Sequence, residues 1–263
     1  MKIAFCNLCV MKGEKMKDYI LEVCADSVES VLEAEKGGAT RIELCQNLVI
    51  GGTTPSPKFF EEVRRHSSIR IHALIRPRFG DFCYTDHEYQ VIREEVKMYR
   101  ELGAEGVVIG ILNPDGTLDM GRMVGLMEAA GEMSVTLHRA FDVCLDPFAA
   151  LEQAVELGID TILTSGQKNS CLEGAGLLRE LEQKSAGRIS IQAGGGVSAA
   201  VIQQLAPMTG IRAWHMSGKI TLDSKMQYRK AGVSMGLPSL SEYEIYRTSA
   251  DKIRAARDVL ERI

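Results

Sequence analysis

The sequence predicts an α/β fold, a single-domain (β/α)8 TIM barrel, and three observations lead there. Short β-rich runs begin near Tyr19, Arg41, Arg70, Gly106, Ser134, Thr161, Ile189 and Arg212. The intervals between them (22, 29, 36, 28, 27, 28 and 23 residues) each have room for a strand, a turn, a helix and a second turn. The 263 residues carry these eight units without a composition break or a long linker. A doubly wound sheet usually has fewer strands and a clear switch point.

The segments between the runs carry helix signals in order. Asp26 precedes Glu29 by three residues, and Val28, Val31 and Leu32 follow the helical period, with Gly37-Gly38 where that helix should stop. Thr85 and Glu88 form a second capping pattern, with Tyr89, Ile92, Val96 and Tyr99 on one face and Gly103 at the end. Asp146-Pro147 is a cap followed by proline at the first helical position, and Gly158 closes that helix. From Lys219 to Leu240 the chain reads as a loop-rich excursion. Helical spacing resumes from Asp251 at Ile253, Ala256, Val259 or Leu260, and Ile263, which predicts a closing helix.

Residues 1–17 read as an N-terminal extension ahead of a barrel spanning 18–263. Lys12-Gly13-Glu14-Lys15-Met16 can be back-translated with a GGAG ribosome-binding sequence just upstream of an ATG, which makes Met16 a candidate natural start. Cys6-x-x-Cys9 precedes the barrel and has no partner pair, so neither residue is given a function.

Composition narrows the function class. A hydrophobic fraction of 45% with 25% charged residues is that of a globular protein with a full core. The 31 basic and 35 acidic residues are interspersed and leave a net charge of −4, with no basic block to track a phosphate backbone, so nucleic acid is not an expected partner. No apolar run approaches the roughly 18 residues that span a bilayer, and the N-terminus lacks the cleavage site of a secretory signal. Seven cysteines, an odd number, fit free thiols in a reducing cytoplasm. Homo-oligomerisation is also expected.

Strand parity locates the site. Leu21-Glu22-Val23-Cys24 is repeated 21 positions later as Ile42-Glu43-Leu44-Cys45, on the first two strands. Residues two apart share a face. Leu21, Val23, Ile42 and Leu44 suit the face packed by helices, so Glu22, Cys24, Glu43 and Cys45 point into the barrel. The same test sends His72, Leu74, Arg76, Thr136, His138, Ser190, Gln192, His215 and Ser217 inward. A barrel interior is ordinarily filled by branched apolar side chains. Burying ionisable groups instead costs several kcal/mol, about 3–5 where a charge lacks its partner. Glu22, Glu43, His138 and Gln192 are therefore expected to meet in one cavity at the C-terminal ends of the strands.

Seven runs occur in the order LEVCADSVESVLEAEKGGATRIELC, GGTTPS, IRPRFGDFCYTD, HRAFD, LTSG, AGGGV and WHMSG. Together, over Tyr19 to about Met235, they resemble the CutC family of copper homeostasis proteins. The resemblance implies a TIM barrel, a cytoplasmic location and a part in copper handling. It also implies a Cu(I) site at Cys24 and Cys45, which end the first two strands. Two thiolates suit Cu(I), a soft ion that accepts two-coordinate binding, and neighbouring strands lie about 4.8 Å apart. Inward side chains of adjacent strands are staggered, however, so the sulfurs need not be level. The other reading of the pair is two buried thiols packing as small hydrophobes.

Carboxylates are hard ligands, so Glu22 and Glu43 fit acid/base work better than Cu(I), unless they form an inert ion-pair network with Arg76 and Arg139. His138, Arg139 and Asp142 place an imidazole, a guanidinium and a carboxylate at the end of the fifth strand, with His138 a candidate base or copper ligand. His72 reads as deeper and structural, and His215 as intermediate. Gly194, Gly195 and Gly196, with Ser217 and Gly218, resemble the anion-binding turns after strands seven and eight of TIM barrels. Two loops, Gly51 to Ser56 and Arg76 to Asp81, carry polar and cationic groups to the same end. Two functions follow from the sequence. One is a protein binding Cu(I) through Cys24 and Cys45. The other is a lyase, isomerase or hydrolase acting on a small anionic or sugar-like ligand through Glu22, Glu43, Arg76, His138, Arg139 and Asp142.

Overall fold

Each strand alternates between residues that pack on helices and residues that face the interior of a closed barrel. In a computed structural model describing residues 18–237 and 240–263, the strands are β1 (Ile20–Ala25), β2 (Arg41–Leu44), β3 (Arg70–Leu74), β4 (Gly106–Ile109), β5 (Ser134–Leu137), β6 (Thr161–Thr164), β7 (Ser190–Ala193) and β8 (Ala213–Met216). All are parallel and pair in chain order, and β8 returns to β1 to complete the ring. Around it lie α1 (Val28–Gly37), α2 (Pro57–His66), α3 (Asp86–Glu101), α4 (Met120–Ala130), α5 (Pro147–Leu157), α6 (Ala175–Ser185), α7 (Ala199–Thr209) and α8 (Ala250–Leu260). Every strand starts within one residue of its expected position. Cys6, Cys9 and Met16 lie outside the described residues.

The caps explain most helix boundaries. Thr85 and Glu88 form the reciprocal box, Thr85 Oγ1 accepting from the Glu88 amide at 3.2 Å and Glu88 Oε2 from the Thr85 amide at 2.8 Å. Asp146 accepts from the amides of Phe148 and Ala149, with Pro147 opening α5. At α1 the cap is Ser27 rather than Asp26, its hydroxyl accepting from the Ser30 amide at 3.3 Å. Leu32, expected on the buried face of α1, is exposed. The Gly37-Gly38 pair does two jobs. Gly38 turns the chain at φ 95°, and a Cβ on Gly37 would stand 2.6 Å from Cβ of Ile253, so only glycine lets α8 approach α1 this closely.

The excursion after β8 is a hairpin rather than a loop: β9 (Lys219–Asp223) pairs antiparallel with β10 (Glu244–Thr248). Both strands are short and largely exposed, so neither shows the apolar alternation that marks a half-buried strand. The hairpin is tied to α1 by the Thr248 amide donating to Ser30 Oγ at 3.2 Å. Ile253, Ala256, Val259 and Leu260 of α8 are buried as expected, but Ile263 lies beyond the helix and is exposed.

The core separates as parity requires. Leu21, Val23, Ile42, Leu44, Ile71, Ala73, Val135, Leu137, Ile191 and Trp214 belong to one continuous apolar layer between sheet and helices. Each fully buried large aliphatic side chain there stabilises the fold by about 1.5–3 kcal/mol. A second, smaller cluster lies apart from it and contains Cys24, Cys45, Leu74 and Val108, with Leu48 packed against it. Cys24, Cys45, Cys83, Cys144 and Cys171 are free thiols. Among the described residues no helix is long and apolar enough to cross a membrane.

Candidate functional site

The barrel interior is built in two levels. The lower one is a closed ionic network around Glu22, which has no solvent exposure. Arg41 Nε donates to Glu22 Oε2. Gln192 Nε2 donates to Oε1 at 2.9 Å, and His215 Nδ1 lies 2.7 Å from the same oxygen. Arg41 also donates to Gln192 Oε1 at 3.1 Å, which fixes the orientation of that amide. Burial works against the Glu22 charge, yet Arg41 and His215 outweigh it and hold the carboxyl well below the usual range. His215 is in turn carried well above an ordinary histidine, against its burial, by Cys24, Glu43 and Glu22. His72 stays neutral: burial and the Arg41 charge push it down to about 4.

Above this network lies an open chamber of about 500 Å3 at the C-terminal ends of the strands. Cys24, Glu43, Leu74, Arg76, His138, Arg139, Asp142, Gly195, Gly196, His215 and Ser217 line it. Glu43 and His138 reach the chamber, whereas Glu22 and Gln192 lie fully buried beneath it and do not line it. His215 is the residue that touches both levels.

Glu43 shares its burial and its cationic neighbours with Glu22, but the balance falls the other way. Burial raises its carboxyl to about 7, and although His215 and Arg41 pull it down, the Glu22 charge adds to the rise. Its Oε2 is buried and has no hydrogen-bond partner among the described residues. The two glutamates, placed alike on consecutive strands, are thus driven to opposite protonation behaviour.

The thiols are not equivalent either. The β1–β2 register sets Cys24 level with Glu43, so Cys45 stands further along the barrel. Cys24 lines the chamber, while Cys45 has no exposure and does not. Its Sγ donates to the Ala25 carbonyl at 3.6 Å, and a Cβ on Gly52 would come within 3.8 Å of that sulfur. Burial, with Glu43 and Cys24 nearby, carries the Cys45 thiol well above its ordinary value.

The carboxylates do not pair with Arg76 or Arg139. Arg76 donates instead to the carbonyls of Gly51, Gly52 and Gly80 at 3.2, 3.1 and 3.0 Å, clamping the two mouth loops together. It also lies over the Phe82 ring at 5.0 Å. Arg139 Nε donates to Asp142 at 2.6 Å and its NH2 to Ser165 Oγ at 2.8 Å. Asp142 further accepts from Thr164 Oγ1 and from the amides of Ser165 and Gln167, so it ties the turn after β5 to the end of β6. His138 caps that turn (Arg139–Val143), its Nδ1 accepting from the Ala140 amide at 3.2 Å. Its Nε2 is buried without a partner among the described residues.

Of the glycine turns, Gly195, Gly196 and Ser217 line the chamber. Gly194 and Gly218 serve packing: the Gly194 amide donates to the Thr164 carbonyl, and a Cβ on Gly218 would meet Ile253 at 2.6 Å. Arg41, which pairs with Glu22 and Gln192, is the member of this network that the sequence reading missed. Its signal was available, because Arg41 shares the inward parity of Glu43 and Cys45.

Among the described residues, Glu22, Glu43 and His215 bring potential ligand atoms within 4.8 Å of one another. Glu22 is committed to Arg41, and oxygen and imidazole donors suit a harder ion than Cu(I), so this trio does not fit copper in that state.

A family model described as the CutC family matches residues 19–220. A family protein CutC of Chromobacterium violaceum is 43% identical over 245 residues, covering 93% of this chain and 99% of its own. The copper homeostasis protein cutC homolog of Homo sapiens is 41% identical over 253 residues, covering 96% of this chain and 93% of its own. The crystal structure of a Streptococcus agalactiae protein bearing the CutC copper homeostasis name superposes with a TM-score of 0.72 at 32% identity, covering 76% of this chain and 98% of that one.

Proposed function

We propose a function on one premise: this chain belongs to the CutC family. The function is copper handling, with Cu(I) held between the thiolates of Cys24, which lines the chamber, and Cys45, buried in the same apolar cluster. The observation that carries it is the packing of both cysteines, with Leu74 and Val108, in one apolar cluster. Soft donors in a dry setting are what Cu(I) selects. The relatives that bear the copper homeostasis name support the same reading. Free thiols suit a reducing cytoplasm. The apolar side chains exposed along the excursion, Leu222, Met226, Tyr228 and Met235 among them, favour a homo-oligomer.

The test is anaerobic competition for Cu(I) against a chelator. Cys24→Ser combined with Cys45→Ser should abolish binding, and an unchanged affinity would overturn the two-thiol site.

A second reading has its own observation. Glu43 and His138 each present a buried, unpartnered polar atom, and both residues line the chamber. Such groups fit an enzyme, a lyase, isomerase or hydrolase, that moves a proton on a small anionic or sugar-like molecule. Retention of activity in the double thiol variant would favour this reading over copper. The same activity should be lost in Glu43→Gln.

A further inference from the structure

We propose that the part of the chamber formed by His138, Arg139 and the Gly195-Gly196 turn docks a small oxyanion, the carboxylate or phosphoryl group of a ligand. The proposal rests on the enzyme reading and deepens it by naming where the charge of the substrate would sit.

Four observations carry it. The guanidinium of Arg139 is steered by Asp142 and Ser165 through Nε and NH2, and no hydrogen bond within the described residues engages NH1. Its side chain remains 44% exposed where it lines the chamber. Asp142 is itself saturated by donors from Thr164, Ser165 and Gln167, so much of its charge is spent on holding the turn.

Next to it the chain runs through Gly195 at φ +84° and Gly196 at φ +79°. The amides of Gly195, Gly196 and Val197 have no hydrogen-bond acceptor among the described residues. They lead directly into α7 (Ala199–Thr209), whose N-terminal dipole favours negative charge. A Cβ on Gly195 would lie 3.1 Å from Ser165 Cβ and 3.8 Å from Arg139 Cζ, so the bare backbone is what lets these amides stand beside the guanidinium.

The independent observation is His138. Because Nδ1 accepts from the Ala140 amide, the ring proton resides on Nε2. Burial and the charge of Arg76 push the ring down to about 3, so it is neutral and donates from Nε2 alone. That N–H is buried and has no partner among the described residues, on a residue only 4% exposed that lines the chamber. An orphaned buried donor costs about 1–3 kcal/mol unless an acceptor arrives. A ligand oxygen is such an acceptor.

The experiment is 15N NMR on the full chain, titrated separately with inorganic phosphate and with acetate to separate phosphoryl from carboxylate recognition. We expect saturable shifts at the Gly195 and Gly196 amides and at His138 Nε2, with one anion binding more tightly. Arg139→Gln should weaken that binding about tenfold or more, as loss of a charge-assisted contact does. A dispersed amide spectrum will confirm that each variant is folded. Should Arg139→Gln unfold, Gly195→Ala supplies the same comparison. No saturable shift with either anion, an undiminished affinity in the folded Arg139 variant, or a His138 proton on Nδ1 would each overturn the proposal. Anion binding without any turnover would leave it standing and remove only the enzyme reading.

Discussion

His215 Nδ1 stands 2.7 Å from Oε1 of Glu22, and this contact joins the sealed floor of the barrel to its open chamber. Glu22 has no access to solvent, so its charge can be supported only by what the barrel supplies: Arg41, Gln192 and a protonated His215. In return the carboxylate adds to Cys24 and Glu43 in favouring a cationic imidazole at the chamber wall. The floor is therefore one of the electrostatic supports of His215, beside Cys24 and Glu43.

Glu22→Gln should destabilise the protein by about 3–5 kcal/mol, because it leaves Arg41 and His215 without their counter-ion in a buried setting. The sign with pH follows from the directions of the shifts. The Glu22 pKa is depressed from 4.5, so its contribution is present above that value and is lost as pH falls toward the folded-state pKa. The His215 pKa is raised from 6.5, so its contribution is present below that value and is lost as pH rises through the elevated one. Denaturant titrations across pH, with the His215 ring followed by NMR, check this. A His215 pKa that does not fall at all in the variant would show that Glu22 contributes nothing to it.

Glu43 should show the opposite behaviour to its sequence twin. With a folded-state pKa of about 7 against an ordinary 4.5, it holds its proton through the weakly acid range. The stability this contributes is present below 4.5 and falls away as pH rises through 7, by about 2–4 kcal/mol in all. A protonated-carboxyl infrared band that titrates near neutrality and vanishes in Glu43→Gln is the expected signature. The glutamine variant should also lose this fall in stability. A band gone by pH 5 would refute the assignment.

Most of the site was legible because a strand has a period of two. Glu22, Cys24, Glu43 and Cys45 face inward for the same reason that Leu21, Val23, Ile42 and Leu44 face the helices. Parity does not say how high along the barrel each side chain sits. Glu22 was therefore expected in the chamber and lies beneath it, and Cys24 came to rest beside Glu43 rather than Cys45. Arg41 escaped notice at the edge of its strand although it shares the inward parity. The clamp made by Arg76 could not be read at all, since its partners are backbone carbonyls of loops 24 and 25 residues away on one side and 4 on the other.

Gly106 on β4 tests the packing of the floor. A Cβ there would come within 2.7 Å of the His72 ring, and no left-handed backbone angle is involved, so space alone is at stake. Gly106→Ala should cost about 1–3 kcal/mol by overpacking. Combining it with His72→Ala should recover part of that loss, the non-additivity expected of residues in contact. Strictly additive unfolding energies would mean that His72 does not fill the space above Gly106.

The last prediction concerns the two thiols. Cys24 is 7% exposed and lines the chamber, whereas Cys45 is fully buried beneath Gly52, with its thiol pKa raised by burial. A thiol alkylates as its thiolate and only where reagent reaches it. Brief iodoacetamide treatment followed by mass spectrometry should therefore modify Cys24 well before Cys45, which should wait for local opening of the Gly51-Gly52 turn or for unfolding. A small Cu(I) ion can reach a sulfur that a larger alkylating reagent cannot, so copper loaded before the reagent should protect Cys24. It should also slow Cys45 labelling in denaturant, because the ion would cross-link the two strands that must separate. Equal native labelling of both cysteines would contradict the burial of Cys45, and protection of Cys24 alone would argue for a one-thiol site. Protection of both, lost when either is changed to serine, is the outcome that the two-thiol reading requires.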